Sequence, residues 1–414
     1  VPDIMEAAPG RFANPLTLRP GERGCCPACG GRALLPVLRL GSVPTNSCLM
    51  LDTPEEARAY PRGAMDLVFC EACCFVFNRA LDPKLTEYSD RYEPTQGYSP
   101  TFRRFHQDLA ARLVAETGLK GGTVVEVGCG QGEFLHLLCR LSGAQGIGFD
   151  PCLSEARADV VQDRADGVTL RGEFFSDDSA RDLRCDLLVS KMTLEHIPSA
   201  GRFAALAQRV AQQSAPGMQI FIQIPECERI FEHGAFEDVY YEHCNYFTEA
   251  SLTALFARHG FRIEGVTREY AGQYLTIRGR YTGEAGGEVP AAERARLRAM
   301  LEHFRDVCDR QIGEWRALVA QRQAAGKAVV VWGSGSKGVS FLTAIGGGDG
   351  ISAAVDINPH RQGHFMVGTG HPIIGPDALP AIQPATVIVM NGVYREEVAA
   401  DLAARGLHPE LLAL

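Results

Sequence analysis

Apolar positions in the middle of the chain switch between two periods. Phe102, Phe105, Leu109 and Leu113 recur three and four apart and predict a helix. Thr123–Val127 follows as a short apolar run closed by glycines, the pattern of a buried strand. Further strands are predicted at Gly146–Phe149, Asp186–Ser190 and Met218–Ile224, each followed by a helix or loop. Strands alternating with helices imply a parallel sheet with helices on both faces. The polar, glycine-rich stretch from Arg280 to Pro290 reads as a linker. Beyond it, Leu297, Leu301, Phe304, Cys308, Gln311, Trp315 and Leu318 are spaced alternately four and three apart, which predicts a long amphipathic helix. Such a seam suits a dimer contact, but over only three heptads packing against the chain's own domains is the expectation. A second strand-and-helix unit begins at Ala328–Trp332 and continues with strands near Ile351–Val355 and Thr386–Met390.

At 414 residues the chain suits two or three domains. Composition shifts divide it into a cysteine-, proline- and glycine-rich region 1–86, a central α/β region 87–285, and a long helix with a second α/β unit over 286–414. With 46% apolar and 22% charged residues, disorder and rod-like folds are excluded. The net charge of −9, from 41 basic and 50 acidic residues, disfavours general affinity for nucleic acid or anionic lipid. No apolar run approaches the ~20 residues of a membrane span, and no signal-peptide pattern is present. The expectation is a cytoplasmic protein, monomeric or weakly dimeric.

Seven of the fourteen cysteines lie in the first 74 residues. Among them Cys26-Pro-Ala-Cys29 and Cys70-Glu-Ala-Cys73 form two CxxC pairs, and two such turns complete a tetrahedron of thiolates. A structural zinc is expected on Cys26, Cys29, Cys70 and Cys73, with Cys25 and Cys74 as alternatives to their neighbours. Four thiolates leave no open position for catalysis, so the ion's expected role is to hold the fold.

Glu126-Val-Gly128-Cys-Gly130-Gln-Gly132 follows a predicted strand and precedes the apolar run Phe134–Leu138. Glycines there let the backbone approach a ligand closely, with a helix N-terminus facing it. Gly148-Phe149-Asp150 ends the next strand with an acid suited to a ribose diol. The acid-x-Gly-x-Gly-x-Gly turn resembles the motif of class I S-adenosylmethionine-dependent methyltransferases. That resemblance implies a Rossmann-like central domain. It gives the methionine part of the cofactor to Gly128, Gly130 and Gly132, and the ribose to Asp150 beside Phe149. Glu173 or Phe174 would meet the adenine. Lys191 opens Lys191-Met-Thr-Leu-Glu195-His196, which resembles the family's Leu-Glu-His segment and joins the cofactor set; for Glu195 and His196, capping and packing is weighed evenly with cofactor contact.

Tyr240-Tyr241-Glu242-His243-Cys-Asn-Tyr246-Phe247 is dense in groups that move protons. Methylation on carbon needs a nucleophilic carbon, usually made by removing a proton next to a carbonyl. A histidine suits that task, and a phenol or second acid stabilises or protonates the enolate oxygen. The whole chain now resembles the three-domain sugar C-methyltransferases of deoxysugar biosynthesis. Their Tyr-x-Glu-His-x-x-Tyr-Phe segment is matched here, and Leu40-Gly-Ser-Val-Pro44-Thr-Asn46 is similar to their Leu-Gly-x-x-Pro-x-x-Asn. The resemblance implies methyl transfer to carbon 3 of a nucleotide-linked 4-keto-6-deoxysugar. His243 would remove the proton, with Tyr240 and Glu242 orienting the substrate or stabilising the enolate and Tyr246 beside it. The relatives carry closely spaced tyrosines and a serine pair before the central domain, where this chain has Tyr98 and Ser99, which are expected at the active-site edge.

Gly333-Ser334-Gly335-Ser336-Lys337-Gly338 is a GxGxxG after a strand, with Asp356 ending the next. Alone it reads as a dinucleotide fingerprint, and an NAD(P)-dependent oxidoreductase is the rival expectation. In the resembled family this Rossmann-like domain helps hold the nucleotide sugar, and a diphosphate on the loop near Lys337 is sound physics. His360, Arg361 and His364 read as solvated surface residues.

Overall fold

The computed structural model describes residues 14–17, 24–89, 91–161 and 163–414. Among them β1 (Leu34–Pro44), β2 (Arg62–Cys70) and β3 (Val76–Asn78) form an antiparallel meander. The central strands are β4 (Thr123–Val127), β5 (Gln145–Phe149), β6 (Val168–Arg171), β7 (Leu187–Lys191) and β8 (Gln219–Pro225); all lie within a residue of the predicted runs except β6, which the sequence pattern does not announce. Then comes β9 (Asn245–Tyr246), which pairs with β3 and makes the first sheet four-stranded. The sheet that begins in the cysteine-rich region is thus completed by the segment carrying Tyr240 and His243.

β10 (Phe261–Glu269) and β11 (Tyr274–Tyr281) close the central sheet, whose order is β10-β11-β8-β7-β4-β5-β6. β4 to β8 run parallel, and β11 lies antiparallel against β8. From β4 the chain winds outward one way through β5 and β6 and the other way through β7 and β8. The crevice at the ends of β4 and β7 is therefore the topological switch point where ligands bind in such sheets. β12 (Val329–Trp332), β13 (Ile351–Val355), β14 (Ile373–Ile374), β15 (Thr386–Val389) and β16 (Glu410–Ala413) form a third, wholly parallel sheet of order β14-β13-β12-β15-β16. Its switch point lies between β12 and β15.

The helix predicted near Phe102 spans Pro100–Thr117. The Ser99 side chain accepts from the Phe102 amide, Pro100 starts the first turn, and Gly118 ends the helix in the left-handed region. The seam after residue 290 is one 34-residue helix, Ala291–Ala324. Leu297, Leu301, Phe304 and Cys308 are buried against the chain itself. Phe304 packs edge-on to Phe231 at 5.1 Å and Trp315 onto Phe341 at 5.6 Å. Burying a side chain such as Phe304 contributes about 1.5–3 kcal/mol. Self-packing thus occupies the seam. Because β11 runs to Tyr281, Arg280 and Tyr281 belong to a strand, and the linker begins at Thr282.

Candidate functional site

Four cysteines converge at the foot of the first sheet. Cys26 Sγ lies 3.6 Å from Cys73 Sγ, and Cys29 Sγ lies 3.7 Å from Cys70 Sγ. A tetrahedral ion with metal–sulfur bonds of about 2.3 Å has edges of about 3.8 Å, so the spacing fits zinc. The Gly31 amide donates to Cys29 Sγ. Cys25 and Cys74 stand outside this cluster.

At the switch point of the central sheet lies a cavity of about 230 Å³. Glu126, Gly128, Gly130, Phe149, Asp150, Phe174 and Lys191 all line it. The turn after β4 needs its glycines. At Gly128, with φ of +76°, a Cβ would meet Thr193 Oγ1 at 1.9 Å; at Gly130, with φ of +55°, the space is open. Asp150 shapes this turn, its two oxygens accepting from the amides of Gly130 and Cys152, each at 2.8 Å. Gly132 sits just behind, at the N-cap of the helix Glu133–Ser142, where no side chain caps the free amides. Phe175 packs edge-on against Phe149 at 5.5 Å.

Two ionisable groups are buried beside this turn. Glu126 is 2% exposed in the middle of β4, and its Oε2 has no partner among the described residues. Burial pushes its pKa up to about 8, against the pull of Lys191. Lys191 Nζ lies 3.0 Å from His106 Nε2 and 4.1 Å over the Phe134 ring, and burial lowers its pKa. Glu173 does not join the group. It follows the short edge strand β6, and its side chain is 54% exposed beside Arg171.

A second cavity, of about 300 Å³, lies at the switch point of the third sheet. Tyr98, Ser99, Tyr240, His243, Gly333, Gly335, Ser336 and Lys337 line it. The two cavities abut: Tyr92, Pro94, Thr95, Gln96, Met192 and His196 line both.

Tyr240 and His243 form a pair on the second cavity's wall. The phenol lies 2.8 Å from His243 Nε2. Burial raises the phenol's pKa well above its ordinary value and lowers that of His243 well below its own, so a neutral ring accepts from a protonated phenol. His196 packs edge-on to His243 at 4.7 Å and meets the Tyr88 hydroxyl through Nδ1 at 3.2 Å. Its pKa is pushed down to about 4 by burial. Glu195 Oε1 stands 3.9 Å from His243 Nε2.

Four expected contacts take other work. Glu242 lines neither cavity. It is buried behind the wall, accepting from Ser47 Oγ and from Asn46 Nδ2 at 3.4 Å, while Ser47 Oγ reaches Ser336 Oγ at 2.7 Å. Burial pushes Glu242 up to about 7. Tyr246 lies in β9 with its ring in the core, 6.1 Å from Phe231, so strand pairing turns it away from both cavities. Ser334 ties its loop to Asp356 Oδ2 through backbone and hydroxyl instead of facing the cavity. Ser99 does line the cavity, but its hydroxyl caps a helix and donates to Glu397 Oε2 at 2.8 Å. Tyr98 donates to Asp159 Oδ2 at 2.9 Å.

Sequence reasoning also missed groups. Arg229 and Lys337 share Asp238 Oδ2, with Lys337 at 2.9 Å, and all three line the second cavity. Arg361 is 7% exposed, not solvated, held by Ser334 Oγ at 3.2 Å and by the Glu93 carbonyl. No motif announces Arg229, Asp238 or Arg361. The Leu-Glu-His segment was the available signal for Glu195 and His196.

Comparison with known proteins decides the chemistry. Residues 101–266 match the family model of a methyltransferase domain, and residues 288–406 match that of a C-methyltransferase C-terminal domain. The chain is an S-adenosylmethionine-dependent C-methyltransferase. Its GxGxxG unit lies in the segment matched by the C-methyltransferase C-terminal domain, which leaves the oxidoreductase expectation without support. This methyltransferase is 26% identical over 389 residues, 90% of each chain, to the C-methyltransferase NovU of Streptomyces niveus. Solved structures resemble less than half of its length. One is the 1,6-didemethyltoxoflavin-N1-methyltransferase of Burkholderia thailandensis, 18% identical, covering 44% of this chain and 81% of that one, with a TM-score of 0.34. Another is a methyltransferase from Aquifex aeolicus, 16% identical, covering 44% and 94%, with a TM-score of 0.33.

Proposed function

We propose that this enzyme methylates the carbon beside the ketone of a nucleotide-linked 4-keto-6-deoxysugar, at carbon 3, through an enolate. The abutting cavities carry this reading. One is lined by the glycine turn, Asp150 and Lys191, the other by Tyr240, His243 and Lys337, and six residues are common to both. A donor and an acceptor bound in adjoining cavities meet without diffusing, and such positioning is worth about 7–11 kcal/mol of barrier.

S-adenosylmethionine supplies an electrophilic methyl group to the first cavity. There Gly128 and Gly130 give backbone access and the Asp150 carboxylate faces the ribose. Phe149 and Phe174 contribute aromatic surface, and Glu126 and Lys191 supply buried polar groups. In the second cavity neutral His243 takes the proton beside the ketone. The Tyr240 phenol donates to the adjacent oxygen as charge develops on it. A ketone presents that oxygen and that C–H on neighbouring carbons, which suits a donor and a base 2.8 Å apart. Glu242 acts as a positioning residue, through Ser47, on the loop that carries Ser336. Lys337, Arg229 and Arg361 offer cations to a diphosphate. Tyr98 stands at the rim. We assign a structural zinc to Cys26, Cys29, Cys70 and Cys73.

The test supplies S-adenosylmethionine with thymidine-diphosphate-linked 4-keto-6-deoxyglucose, or with the same sugar reduced at carbon 4. The reading expects a gain of one methylene on the ketone alone, lost in His243→Gln. Methylation of the reduced sugar, or of neither compound, contradicts it.

A further inference from the structure

Methylation of carbon releases one proton for each methyl group transferred. On the reading above, on which this inference rests, the C–H bond beside the ketone breaks. Its proton passes to His243 and its electron pair to the enolate. That pair then forms the carbon–methyl bond as the sulfur–methyl bond breaks, sulfur keeping the electrons of the latter. His243 must hand a proton on before the next turnover, yet it is only 4% exposed, and its hydroxyl neighbour Tyr240 is already protonated.

Glu195 is the middle residue of the turn Leu194–His196 just after β7, and it lines the second cavity. It is 1% exposed, and neither carboxylate oxygen has a hydrogen-bond partner among the described residues. A buried carboxyl without partners is costly, and such groups are retained where they work. The titratable groups around it are otherwise engaged. His196 meets Tyr88, Tyr240 meets His243, and the Cys244 thiol donates to the Glu195 backbone carbonyl. Cys227 donates to the Pro225 carbonyl, and the Tyr274 hydroxyl meets Gln96. Oε1 stands 3.9 Å from His243 Nε2 and has no hydrogen bond of its own among the described residues.

We propose that Glu195 is the proton relay of the base, taking the proton from His243 Nε2 once abstraction has charged the ring. Burial pushes the pKa of Glu195 up to about 8, while His243 is neutral throughout that range. The ionised carboxylate is the working form, since it strengthens the imidazole as a base and has room for the proton. The rate therefore rises with pH through about 8 and levels off above it.

The test needs no acceptor. In protein labelled with nitrogen-15 histidine, the His243 ring signals, assigned by their absence in His243→Gln, are followed from about pH 6 to about pH 10. Wild type is expected to show a step near pH 8, Glu195→Gln none, and Glu195→Asp a displaced step. S-adenosylhomocysteine affinity and melting temperature report that each variant is folded. No step in wild type, or one that persists in Glu195→Gln, overturns the proposal. With the keto-sugar as acceptor, Glu195→Gln is expected to lower kcat about 10- to 100-fold and to flatten its pH profile. A wild-type pH profile in that variant also overturns it. Should wild type methylate no keto-sugar while the step behaves as stated, the acceptor reading fails and the Glu195–His243 pair stands.

Discussion

Replacing Tyr240 by Phe removes one oxygen and leaves the ring that packs against His243. The hydroxyl is buried, and burial holds it protonated, so what is lost is a single O–H donor 2.8 Å from Nε2. In a water-excluded site, one donor aimed at a developing oxyanion is worth about 2.7–4 kcal/mol, or about 10²- to 10³-fold in kcat. The ground-state ketone is a weak acceptor by comparison, so KM should change by less than about threefold. His243 Nε2 loses its donor as well, which costs about 1–3 kcal/mol of stability and lowers the melting temperature by several degrees. Initial rates at saturating S-adenosylmethionine, with a melt and an S-adenosylhomocysteine titration on the same preparation, separate these effects. A kcat within twofold of wild type would refute the assignment. So would a fall in kcat matched by loss of cofactor affinity, since that would make Tyr240 a structural residue.

Stability should fall between about pH 6.5 and about pH 8. Buried His106, His196 and His243 are held neutral with pKa values under the ordinary 6.5, so through them stability rises with pH only up to that value. Glu126 and Glu195 at about 8, and Glu133 and Glu242 at about 7, keep protons that the unfolded chain loses from 4.5 upward, and above pH 6.5 the histidines no longer offset them; melting temperatures that rise from pH 6.5 to pH 8 would contradict this. Metal analysis should find one zinc per chain. Chelation or Cys73→Ser should unfold the first sheet and abolish methyl transfer in step, because β9 ties that sheet to the Tyr240–His243 segment. Lys337→Ala should raise KM for the nucleotide sugar about 10- to 100-fold and leave S-adenosylhomocysteine affinity unchanged, as measured by calorimetry. The same titration should show Asp150→Ala weakened at least about tenfold and Glu173→Ala unchanged, since only Asp150 faces the cavity.

Local chemistry made much of this legible in the sequence. The CxxC pairs and the glycine turn after β4 are short-range patterns whose residues have one physical use each, and they fold where expected. Four of the five parallel central strands could be read because parallel strands are continuous apolar runs, whereas the short edge strand β6 alternates between half-buried and exposed positions. What failed depends on contacts across the chain. Tyr246 belongs to the same short motif as His243, but pairing of β9 with β3 sends its ring into the core. Glu242 is next to His243 in sequence and faces Ser47 and Asn46, almost two hundred residues away. Arg361 looks like a surface charge until the Glu93 carbonyl and Ser334 close around it. Arg229 and Asp238 carry no spacing signal, because a helix and a later turn bring them together.

The central claim is that a carbon beside a ketone accepts the methyl group. It is tested most directly by incubating the enzyme with S-adenosylmethionine carrying a carbon-13 methyl and thymidine-diphosphate-linked 4-keto-6-deoxyglucose whose sugar carbons are also carbon-13, then recording carbon–carbon coupling by NMR. The account predicts a labelled methyl bonded to carbon 3, next to the ketone. A label bonded to oxygen, or none transferred to the sugar, would contradict it.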